Sequence, residues 1–147
     1  MTGVLWAAAF AALAASCAEL PRDPARTEDQ VRASRTIRLG WVTGTPRHPD
    51  AERVLSELAR ATGARPLRSD GDSETLLREL EEGKIDMVYG TFSMASPWAK
   101  MVHLGKALGW RAEPPSHVAA PRFAYRSGEN GWIMRVESAV AREVPAP

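Results

Sequence analysis

Residues 80–90 read Leu80-Glu81-Glu82-Gly83-Lys84-Ile85-Asp86-Met87-Val88-Tyr89-Gly90, and their change of pattern decides the fold. The stretch begins as a helix end: Leu76, Leu77 and Leu80 share one helical face, and Gly83 supplies the stop. From Ile85 to Gly90 it is apolar nearly throughout, which suits a central strand covered on both faces. Glu81 and Glu82 sit at the helix C-terminus, where their charge opposes the helix dipole.

Working upstream, Ser69-Asp70-Gly71-Asp72 reads as a turn, with Asp72 or Ser73 capping the helix. Ala64 to Arg68 is a short strand. Before it, Ala51, Val54, Leu55, Leu58, Ala59 and Thr62 form a helical stripe, with Asp50 as N-cap and Gly63 as stop. Thr36 to Val42 alternates Ile37, Leu39 and Trp41, which predicts the opening strand. Downstream, Ser96-Pro97 starts a short helix through Val102, and Ala107 to Trp110 is expected as a fourth strand. Arg111 to Pro115 is a turn, Val118 to Arg126 a further strand, and Trp132, Ile133, Val136, Ala139 and Val140 mark a terminal helix.

The expected fold class is α/β: a single-domain, mostly parallel sheet of about five strands with helices on both faces. The first strand lies between the second and third. Leu55, Leu58, Leu77, Leu80, Val88 and Ile133 are the expected core.

Composition narrows the function. The chain has 147 residues with net charge +1 at pH 7. Its basic residues are scattered, so there is no electrostatic footprint for nucleic acid. His48, His103 and His117 lack metal-ligand spacing, and neither a metal nor a cofactor is expected. No nucleophile-with-base motif or phosphate loop appears, so the expected class is not an enzyme.

Val4 to Ala15 is uncharged, apolar and too short to cross a bilayer, which needs roughly 20 residues. It reads as the hydrophobic part of a signal peptide covering 1–18. Cys17, the single cysteine, ends the run in Ala14-Ala15-Ser16-Cys17. This resembles a lipoprotein lipobox and implies a lipid anchor at Cys17. Ordinary cleavage before Glu19, giving a soluble periplasmic protein, fits the same residues. Residues 19–35, polar and with two prolines, read as a tether to a folded part at 36–147.

Three stretches together resemble the polar-amino-acid receptors of bacterial ABC importers, the extracytoplasmic solute-binding proteins. They are Ile37 to Thr43, Leu80 to Gly90, and Ala99-Lys100-Met101-Val102. A weaker likeness runs from Phe123 to Val140. The resemblance implies the first lobe of a two-lobed trap. The second lobe of that family is inserted between the two matching parts, where this chain has only residues around Arg111 to Val118.

The resemblance places ligand contacts in the loops after the first and third strands. Thr45, Arg47, Thr91, Ser93 and Trp98 are the ligand-binding residues so implied. Thr91 and Ser93 match the family's hydroxyl positions. Trp98 stands where the family has the Arg that pairs with an α-carboxylate, and His103 stands where it commonly has Asp. The implied ligand is a small polar solute, in a role of sensing or transport at the cell envelope. The alternative is a structural or interaction lipoprotein that has lost ligand binding. An open half-cleft, with Phe92, Met94 and Trp98 exposed, would serve a membrane protein or self-association. Alternatively, Trp98 folds down and the Arg111 to His117 turn covers the edge.

Overall fold

The structure, a computed structural model, describes residues 23–144. The signal sequence, Cys17 and the first part of the expected tether lie outside the described residues.

Strands β1 (Thr36–Val42), β2 (Arg65–Gly71) and β3 (Met87–Phe92) alternate with helices α2 (Pro49–Thr62) and α3 (Ser73–Glu81). A 3-10 turn at Pro97–Lys100 leads to β4 (Val102–Leu104), β5 (Ala120–Arg126) and helix α4 (Asn130–Glu143). The five-stranded sheet has the order β2-β1-β3-β5-β4. β1 pairs in parallel with β2 and with β3, as expected, while β5 runs antiparallel to both β3 and β4.

Local chemistry explains the element ends. α2 starts with Pro49 in its first turn, and its N-cap is His48, whose Nδ1 accepts the Asp50 N–H at 3.2 Å. The cap expected at Asp50 is therefore corrected. Pro49 has the φ of a first helical residue and no N–H to satisfy, which moves the cap two positions upstream. Asp50 pairs with Arg53 instead. Gly63 closes α2 with φ 69°, a left-handed geometry that a side chain would strain. Asp72 caps α3 by accepting the Thr75 N–H at 2.9 Å. At the other end of α3, Lys84 pairs with Glu82 at 2.6 Å, which answers the unfavourable charge there. That contact lowers the Glu82 carboxyl and raises the Lys84 amine.

Two apolar layers follow from strand alternation. Ile37, Leu39, Trp41, Met87, Tyr89, Phe123 and Tyr125 pack under α2 and α4 with Val54, Leu58 and Trp132. Val88, Phe92, Val102, Leu104 and Ala124 pack under α3 with Leu76, Leu77 and Leu80. Each fully buried side chain of this size contributes about 1.5–3 kcal/mol relative to exposure.

Four further expectations need correction. Ile133 is only partly buried, at the rim of the α4 layer. Ser69 to Gly71 extend β2 rather than forming a turn. The fourth strand is Val102–Leu104, because Val102 and Leu104 point into the α3 layer. Ala107 to Trp110 is a loop. Finally, Thr27–Ser34 is not tether but helix α1. Val31 enters the α4 layer, and Glu129 accepts the Ala25 and Thr27 N–H groups and the Thr27 hydroxyl at 2.8–3.0 Å. The donors that tie α1 down belong to one end of the chain and their acceptor to the other.

Candidate functional site

The parallel strands β1, β2 and β3 end together, and open α/β sheets place ligands beside such carboxyl-terminal ends. Trp41 of β1 is level with Tyr89 of β3, so the 43–48 loop and the start of the 91–96 loop are neighbours. The structure thus brings Thr45, Arg47, Thr91 and Ser93 to one end of the molecule.

Their side chains differ in availability. Thr45 is half-exposed, and its carbonyl accepts the Trp41 Nε1–H at 3.1 Å. Thr91 is exposed, and no partner of its hydroxyl is among the hydrogen bonds of the described residues. Arg47 is exposed and lies 4.0 Å from Glu52. Ser93 is committed: its hydroxyl donates to Ser116 O at 2.6 Å and accepts the Ala95 N–H at 3.1 Å. Trp98 is half-buried against the α3 layer, set by the Ser96 cap of its 3-10 turn.

The expected apolar face of Phe92, Met94 and Trp98 does not form as a set. Phe92 is buried in the α3 layer, Trp98 leans on it, and Met94 alone is exposed. The physical reason is alternation. Phe92 is the last residue of β3 and points to the same side as Val88, where Leu76 and Leu77 already make an apolar layer.

The 105–118 segment crosses this end of the sheet. Ser116 O also accepts the Ala95 N–H at 2.8 Å. On the other side, Gly109 has φ 77°, and a Cβ there would lie 2.6 Å from His48 Nε2. The segment therefore touches both ligand loops, in the place where the resemblance implies a second lobe. Below it, burial pushes the Tyr89 phenol up to about 12, with Glu52 and Asp50 adding to the shift and a backbone contact at His48 opposing it. The phenol stays protonated and donates to Pro46 O at 3.3 Å, which steadies the 43–48 loop.

Two features escaped the sequence reading. One is a cleft of about 320 Å³ between α2 and the β1–β2 face, lined by Trp41, Leu55, Arg47, Glu52 and Arg68. Arg68 lies 4.1 Å above the Trp41 ring, a cation–π contact. The other is Arg122 on β5, level with Gly90 of β3 and 1% exposed. Its Nη1 donates to Gly105 O at 2.8 Å and lies 2.7 Å from Glu113 Oε1. The signals were an exposed-looking Arg68 three residues after the start of β2 and a lone charge inside an apolar strand.

No family model matches the sequence, and no curated protein matches it. Solved structures do. The arginine-bound form of domain 1 from TmArgBP aligns with TM-score 0.63 at 16% identity, covering 78% of this chain and 98% of that one. The fold is that of one solute-binding lobe. An ancestral cationic amino acid solute-binding protein gives TM-score 0.62 at 11% identity, over 79% of this chain and 93% of that one. Tv2483, solved bound to L-arginine, gives 0.63 at 11% identity, over 82% and 89%. At these identities the likeness concerns the fold alone.

Proposed function

We propose that this chain is an envelope protein built on one solute-binding lobe, and that it holds a small polar solute at the carboxyl end of its sheet. The observation carrying this reading is the fold match to the arginine-bound form of domain 1 from TmArgBP. Thr45, Arg47 and Thr91, together at that end, are the residues we assign to the solute. Arg47 and Glu52 offer charge of both signs, as a zwitterionic solute requires. The test is thermal unfolding of the full mature chain against amino acids and other small polar solutes. A ligand binding only the native state raises the midpoint. We expect at least one amino acid to do so, and a Thr91→Val, Arg47→Ala double variant to lose the effect. A flat response to the whole panel refutes the reading.

A second reading has its own observation. The Ser93 hydroxyl is spent on Ser116, and the 105–118 segment covers the loops. These contacts favour the structural or interaction lipoprotein that has lost ligand binding, and the flat response would agree with it.

Location belongs to the same proposal. We assign the folded part to the periplasmic side, with Cys17 as the lipid attachment point. Stable anchoring requires more than one acyl chain, which a lipoprotein cysteine carries. Cys17→Ala should move the protein from the membrane to the soluble envelope fraction and change its mass. Unchanged fractionation and mass would contradict the anchor.

A further inference from the structure

The Arg122 guanidinium is buried, yet its Nε and Nη2 atoms have no hydrogen-bond partner among the described residues. A guanidinium binds a planar oxyanion in two parallel bonds, and Nε with Nη2 forms one edge suited to this. The same molecule shows that edge in use. Arg38 directs Nε and Nη2 onto Asp86 at 2.6–3.2 Å. At Arg122 the matching edge is bare, and Glu113 touches only Nη1.

Glu113 is unlike Asp86 in another way. Its side chain is 47% exposed, on the segment that crosses the carboxyl end of the sheet. Its second oxygen accepts the Ala107 N–H at 3.2 Å, so this one carboxylate ties the middle of the covering segment to its start and to Arg122 of β5. By strand alternation Arg122 shares the side of Ala124, in the α3 layer, away from the Trp41–Arg68 cleft.

From these observations we infer that Arg122 is the anchor of a carboxylate-binding site roofed by the 105–118 segment, with Glu113 as the chain's own competing carboxylate. An external carboxylate takes the Nε–Nη2 edge once Glu113 releases Nη1 and the segment lifts. No bond is made or broken. The exchange swaps one ion pair for another, so the buried cation is not left without an anion. The inference rests on the solute-binding reading for its use. Its chemistry needs none of Thr45, Arg47 or Thr91, and acetate is therefore the probe.

The experiment follows the arginine Nε–H resonances of the full mature chain by NMR while acetate replaces chloride at constant ionic strength. One resonance, assigned to Arg122 by its loss in Arg122→Met, should move on saturation. In Glu113→Gln the half-saturating acetate concentration should fall by about tenfold, as expected when a competing charge-assisted contact is removed. Glu113→Ala should behave the same way and serves if the amide variant fails to fold. The inference is overturned if acetate leaves that resonance in place in both wild type and the Glu113 variants. It is equally overturned if half-saturation does not change between them. An amino-acid panel without effect would sink the loop reading and leave the acetate result standing.

Discussion

Arg38 and Arg122 are two arginines on one sheet, and they are treated in opposite ways. Arg38 lies at the amino end of β1, where Asp86, just before β3, takes both nitrogens of one guanidinium edge. Asp86 also accepts the Arg38 N–H at 2.7 Å, and its carbonyl accepts the Trp132 indole N–H at 2.9 Å. The contact with Asp86 raises the Arg38 guanidinium despite partial burial. Among the described residues, no buried side-chain nitrogen or oxygen of that pair lacks a partner. Arg122, near the other end, is more buried and less matched. The contrast separates an end of the sheet where a buried ion pair is closed from the end that we propose meets a solute.

Substitution at the two arginines should break the symmetry most visibly. Arg38→Met should lower stability by about 3–5 kcal/mol, because it leaves the buried Asp86 carboxylate without its cation. Asp86→Ala should lower it by a similar or smaller amount, since the stranded Arg38 side chain is 39% exposed and only the Arg38 N–H loses its acceptor. Arg122→Met should cost clearly less, because the carboxylate it strands, Glu113, is 47% exposed and water can solvate it, while two unmatched buried nitrogens are removed. Urea unfolding of the full chain reads all three. Equal losses at both arginines would end the distinction.

A smaller effect concerns α1. Burial pushes the Glu129 carboxyl up, but the N–H groups of Ala25 and Thr27, the Thr27 hydroxyl and the charge of Arg126 outweigh it and hold the carboxyl below its ordinary value. A carboxyl lowered in the folded state stabilises above its unfolded value of 4.5 and loses that contribution as pH falls through the folded value. Amide exchange in Thr27–Ser34 should therefore quicken relative to α4 below about pH 4.5. Glu129→Gln should show fast exchange in α1 at neutral pH and little further change on acidification. Protection of α1 that is independent of pH in the wild type would show that Glu129 is not its tie.

These contrasts also show where sequence suffices. The order and direction of β1, β2 and β3 were legible because Ile37, Leu39 and Trp41 alternate and Ile85 to Tyr89 do not. The leucine stripes of α2 and α3 and the stop at Gly63 were equally plain. α1 was missed because Val31 is its one buried apolar residue, and the acceptor that ties its start, Glu129, lies more than a hundred residues along the chain. β4 was displaced because three residues carry too little period to register. At the site, the loops holding Thr45, Arg47, Thr91 and Ser93 could be placed from strand order alone. Whether Ser93 is available depends on Ser116, a contact across two turns. Arg122 was invisible for a related reason: a charge within Ala120 to Tyr125 reads as strand surface until β4 and the 105–118 segment bury it.

The central claim is that the carboxyl end of this lobe is where a polar solute meets the chain. Its most direct test is backbone amide mapping by NMR on the mature chain titrated with L-arginine and a panel of small polar solutes. The account predicts that the perturbed amides fall in 43–48, 91–96 and 105–118, while those around Arg38 and Asp86 stay fixed. Perturbation centred on Arg38 and Asp86, or none with any solute, would contradict it.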